Sequence, residues 1–124
     1  MLLLLTMLSA SLVEAVELPA SAAEAVQPLE ASKLQWDRVP TGADFNRFFP
    51  GQAALAGLEG SATLLCTVQR DRGLGGCLVE SENPANRRFG EAATLVAAKF
   101  RLAPKAANEG ASVRLRLRFN LPHR

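Results

Sequence analysis

Histidine is almost absent from this sequence of 124 residues: the one copy, His123, stands next to the C-terminal Arg124. A metal site or catalytic triad built on histidines within one chain is therefore excluded. Cysteine is nearly as scarce. Cys66 and Cys77 cannot make a structural zinc site alone, and their separation is not the C-x-x-C spacing of oxidoreductases. No basic residue occurs before Lys33, whereas Glu14, Glu17, Glu24 and Glu30 all precede it. From residue 31 onward, all 14 Lys and Arg face only 8 of the 12 Asp and Glu. That local excess favours acidic partners or solubility and does not by itself identify nucleic acid. What is present is a globular composition, 48% apolar and 21% charged, in a 13.2 kDa chain with room for one domain.

The first residues read as a targeting segment. Residues 2–13, LLLLTMLSASLV, are an uncharged apolar run, too short for the roughly 20 residues that a membrane-spanning helix needs. Ala20-Ser21-Ala22 and Ala23-Glu24-Ala25 both fit an A-x-A cleavage site. Residues 1–25 are therefore expected to be a signal peptide, with a short inner-membrane anchor facing the periplasm as the rival. The mature chain would begin near Ala23 or Val26. Residues 26–44 contain Pro28, Pro40 and Gly42 and keep no period, so they read as an extended leader into a domain over 45–124. Trp36, the lone tryptophan, is expected to pin that leader to the core.

Pro50 to Ala56 reads as a short helix ended by Gly57. From Gly60 the period becomes two: Ala62, Leu64, Cys66 and Val68 share one face. Arg70-Asp71-Arg72-Gly73 reads as a hairpin turn with a positive φ at Gly73, and Leu74 to Glu82 as the returning strand. Phe89, Ala92, Ala93, Val96 and Phe100 recur at helical spacing, and Pro104 is expected to stop that helix. Ser112 to Leu121 alternates most cleanly. Val113, Leu115, Leu117, Phe119 and Leu121 face one way; Ser112, Arg114, Arg116, Arg118 and Asn120 face the other. The expected fold is α+β, an antiparallel three-stranded sheet (β-β-α-β) with one main helix on one face and a short N-terminal helix. The handedness rule places the last strand beside the first.

Cys66 and Cys77 lie nearly opposite on one hairpin and share a face, within disulfide reach. In an exported chain an oxidised structural pair is expected, against the alternatives of free buried thiols or a redox or metal-binding pair.

The stretch from Phe49 to Leu121 resembles the C-terminal domain of TonB, the periplasmic transducer that contacts outer-membrane receptors. Phe49-Pro50 stands where the family has Tyr-Pro before a short helix, and Leu58-Glu59-Gly60 precedes the first strand. Val68 to Leu74, with Asp71 and Gly73, matches the family's hairpin turn. Ser81 to Phe89 (SENPANRRF) leads to a helix ending Phe100-Arg101-Leu102-Ala103-Pro104, and the terminal LRLRFNL matches a V-x-V-x-F-x-L pattern. The resemblance implies a non-catalytic domain that takes an extended receptor segment as an added strand beside its last strand. Carried over by position, the partner-binding residues are Arg114, Leu115, Arg116, Leu117, Arg118 and Phe119 along that strand, with Asn46 (in place of a Gln), Phe49 and Pro50 ahead of the short helix. The chain departs from a transducer in having no histidine motif before His123. Its leader, at about 3.3 Å per residue, is also too short to cross a periplasm. Binding without force transmission is the expectation.

The arginine stripe has a plain reading, a solvated face with edge-protecting charges, beside the sharper one of an acidic-partner site. Nucleic acid is not expected, because the wet face offers no interleaved aromatics for stacking. An enzyme is not expected either: Ser61, Ser81 and Ser112 lack a histidine base, and Glu80 with Glu82 reads as a solvated pair. No cofactor or small-molecule substrate is expected. The partner is an extended segment of an outer-membrane receptor or periplasmic protein, and a homodimer formed by pairing exposed sheet edges is the structural alternative.

Overall fold

The structure is a computed structural model that describes residues 27–122. The signal peptide or anchor read over residues 1–25 lies outside the described residues. In chain order the strands are β1 (Leu29–Glu30), β2 (Trp36–Arg38), β3 (Gly60–Val68), β4 (Leu74–Asn83), β5 (Arg101–Leu102) and β6 (Ser112–Phe119). The helices are α1 (Gly42–Phe48), α2 (Gly51–Leu55) and α3 (Phe89–Ala97), with a 3-10 turn at Ala31–Lys33. Among the described residues no helix is long and apolar enough to cross a membrane.

The alternation in β3 and β6 sets the core. Ala62, Leu64, Cys66 and Val68 from β3, with Val113, Leu115, Leu117 and Phe119 from β6, are buried against α3. The helix returns Phe89, Ala92, Ala93, Val96 and Ala97. Its small residues allow a close approach: a Cβ at Gly90 would stand 2.8 Å from a Val79 methyl of β4. Four phenylalanines lock one end of the core. Phe119 stacks 5.2 Å from Phe45, 5.9 Å from Phe49 and 5.7 Å from Phe89, and Phe49 stands 5.7 Å from Phe89. Burying one such ring is worth about 1.5–3 kcal/mol, with a further 0.5–1.5 kcal/mol from a well-set aromatic pair.

The α+β class and the placing of β6 beside β3 follow the sequence pattern, but the three-stranded sheet does not. The sheet has four strands in the order β1-β6-β3-β4, and β2 and β5 form a second, two-stranded sheet. Two of the extra strands, β1 and β2, come from the leader, which is folded rather than merely extended. Its β1 pairs in parallel with β6, and β2 pairs with β5 in the stretch after α3. Trp36 anchors it, with its ring edge-on to Phe100 at 4.9 Å and Nε1–H donating to the Ala31 carbonyl at 3.0 Å. The helix α1 was missed because Pro40 and Gly42 read as breakers, although its entry signal is local. Thr41 Oγ1 accepts from the Asp44 amide while Asp44 Oδ2 accepts from the Thr41 amide, a reciprocal cap.

Three smaller expectations also need correction. The positive φ of the hairpin turn belongs to Arg72 (71°), not Gly73, and a bond from the Gly73 amide to Asp71 Oδ1 holds the turn. The main helix ends at Ala97, well before Pro104, because the chain must straighten into β5. The last strand ends at Phe119, after which the Leu121 amide is held by Glu59 Oε2 at 2.7 Å.

Cys66 and Cys77 form a disulfide with Cα atoms 4.0 Å apart. The register explains the pairing. Leu64 faces Val79 and Leu65 faces Leu78, so the next pair is Cys66 with Cys77. Gly76 then bulges out before Thr67 meets Gly75, and its φ of 56° is one that glycine adopts freely.

Candidate functional site

A sheet offers a partner its unpaired backbone, so the two outer edges are the places to inspect. They differ sharply. On one side β4 is bulged twice, at Gly76 and at Glu80, where Leu64 faces Val79 but Thr63 faces Ser81. Bulges of this kind twist an edge away from further pairing. On the other side β6 keeps one register against β3 from Thr67↔Ser112 to Gly60↔Phe119, with no shift.

The outer side of β6 is paired with a strand only at its start. Leu29 faces Val113 and Glu30 faces Arg114, and the chain then leaves the ladder through the 3-10 turn Ala31–Lys33, which still packs against β6. Among the described residues no strand stands beside Leu115 to Phe119 on that side. Next to this open stretch lies a groove of about 240 Å³. Trp36, Val39 and Phe100 give it an apolar wall, and Glu30 with Arg114 and Arg116 line its charged rim.

The arginines along β6 are not equivalent. Arg114 donates to both carboxylate oxygens of Glu80, Nε–H to Oε1 at 2.8 Å and Nη2 to Oε2 at 3.3 Å. The bond from Arg114 holds the Glu80 carboxyl below its ordinary range, and the same bond raises the Arg114 guanidinium. The Glu80 bulge thus re-aims a side chain across β3. Arg116 donates to Glu30 Oε1 at 3.0 Å, and Arg114 also stands 3.9 Å from that oxygen. Arg118 bonds only the Asn120 carboxamide, at 3.0 Å, and has no carboxylate partner among the described residues.

The three arginines of the sequence reading do share the face away from α3. Leu115, Leu117 and Phe119 point into the core, so they offer a partner only their backbone. Phe49 and Pro50 also pack inward, Phe49 against Phe89 and Phe119, and Pro50 is buried at the start of α2. Asn46 is exposed on α1. Sequence reasoning placed Trp36 as a pin for the leader, with ligand stacking as the lesser reading, and missed Glu30, Val39 and Phe100, because the leader carries no sustained period and Phe100 read as part of the main helix. Among the described residues no group of three His, Cys, Asp or Glu stands together to hold a metal ion.

No family model and no curated protein sequence matches the chain. Among solved structures it is similar to the solution NMR structure of the Pseudomonas aeruginosa TonB CTD, at 19% identity and a TM-score of 0.52. The alignment covers 77% of this chain and 95% of that one. At such identity the likeness shows a TonB-like fold.

Proposed function

We propose that the chain is a non-catalytic protein-binding domain that takes an extended segment of a partner as a new strand on the outer edge of β6, between Leu115 and Phe119. The observation that carries this reading is the contrast of the two edges: β6 is straight, in one register and open beyond Arg114, whereas β4 is bulged twice. Main-chain hydrogen bonds supply affinity in strand addition, and side-chain positions supply selectivity. Here Arg116 and Arg118 favour an acidic segment, and the groove by Trp36 and Phe100 favours an apolar side chain beside it. The TonB-like fold supports a protein partner, an extended segment of an outer-membrane receptor or periplasmic protein, met after export to the periplasm. The Cys66–Cys77 disulfide fits an oxidising compartment of that kind.

The test uses the peptide rather than the protein, since every residue of β6 that points inward is core. Labelled peptides alternating acidic and apolar residues are titrated into the chain, then the same peptides N-methylated on alternate amides. Methylation in one parity removes the donors that face β6 and should weaken binding about tenfold, because each lost hydrogen bond costs about 0.5–1.5 kcal/mol. Methylation in the other parity should change little. Equal loss in both parities, or none in either, contradicts strand addition.

A further inference from the structure

The open edge already has a resident. We infer that Leu29–Glu30 is a displaceable strand on the docking edge of β6, a latch that a partner strand must replace in order to use the edge from Ser112 onward. This inference rests on the strand-addition reading for its partner but not for the latch itself. The contact is small. It comprises two register pairs, Leu29 with Val113 and Glu30 with Arg114, and Leu29 is 39% exposed. Its side-chain hold is the Glu30 carboxylate, shared between Arg116 at 3.0 Å and Arg114 at 3.9 Å. Arg116 is 65% exposed, so the pair is screened by water and salt.

Beyond Glu30 the leader is fastened separately. Ala31 is buried, its carbonyl accepts from Trp36 Nε1–H, and Trp36 packs on Phe100. The two residues of β1 therefore lift off at Ala31 while the rest of the leader stays in place. A partner carboxylate entering beside Arg116 takes the place of Glu30, and Arg118, which has no carboxylate of its own among the described residues, extends the stripe. The chain thus carries at Glu30 an internal copy of the acidic contact that it would recognise in a partner.

The full chain serves for the test, as wild type, Glu30→Arg and Arg118→Ala. Amide exchange without ligand reads the latch; titration with a labelled peptide alternating aspartate and valine reads the partner. Glu30→Arg sets like charge against Arg114 and Arg116, so β1 and the β6 amides that face it should exchange about tenfold faster, with amides that face β3 unchanged. The same variant should bind the peptide about three- to tenfold more tightly, since the closed latch no longer lowers the competent fraction. Arg118→Ala should weaken binding and leave exchange unaltered. Unchanged exchange in Glu30→Arg, or exchange of β1 only with global unfolding, overturns the latch. Faster exchange with wild-type affinity overturns the competition. Faster exchange with no peptide bound by any form upholds the latch and removes the strand-addition reading.

Discussion

At the scale of single residues, Gly60 is the most constrained position on the inner face. Its φ is ordinary, so conformational freedom is not the reason for glycine; a Cβ there would land on the ring of Phe89. Phe89 is fully buried and wedged between Phe49 and Phe119, so it has nowhere to move. Gly60→Ala should therefore destabilise the chain by about 1–3 kcal/mol in a urea titration, and Phe119→Ala by about 3–5 kcal/mol through the cavity it leaves. Thr41→Ala, which breaks the reciprocal cap of α1, should cost about 1 kcal/mol. If Gly60→Ala unfolds at the wild-type urea midpoint, the aromatic cluster is looser than the packing implies.

At the scale of elements, the β3–β4 hairpin and its disulfide form one unit. The Cys66→Ala, Cys77→Ala double variant should lose roughly 2–3 kcal/mol, as expected for opening a short loop. Non-reducing denaturation of the wild type should expose no thiol to alkylation. The first strand of this hairpin and β6 were legible in the sequence because their residues alternate in a period the eye can follow, from Ala62 to Val68 and in Ser112 to Phe119. The helix α3 was legible for the same reason at a period of 3.6. Apart from α1, what escaped were elements held by tertiary contacts. Strands of two or three residues, such as β1, β2 and β5, are too short to show any period. Their signals are partners distant in sequence: Trp36 against Leu102 and Glu30 against Arg114. The edge reading of β6 lacked one detail for that reason, since only the fold reveals that Leu29–Glu30 covers its start. The bulges of β4 were hidden as well. Gly75-Gly76 hinted at one, but nothing in the composition marks the other at Glu80.

At the scale of the whole molecule, charge ties the sheet together across its outer face, from Glu30 through Arg114 to Glu80. The Glu80 carboxyl lies below its ordinary range because Arg114 bonds it. Its contribution to stability is thus complete above the ordinary glutamate range, about pH 4, and fades as pH falls through the lowered value. Asp44, lowered by the Thr41 amide, acts in the same direction. Thermal unfolding followed from neutral to acid pH should show a declining Tm, and the decline should be shallower in Glu80→Gln. A steeper one would reverse the sign argued here. The same charges predict that peptide binding weakens with salt without vanishing, because the backbone ladder does not depend on them. On the proposed function β6, and not β4, is the edge a partner strand joins. Amide exchange of the isotopically labelled chain, saturated with an acidic-apolar peptide, tests it most directly. New protection is expected at the outward-facing amides between Leu115 and Phe119 with β4 unchanged; protection at Leu78 to Glu80 instead, or at neither edge, would rule out strand addition on β6.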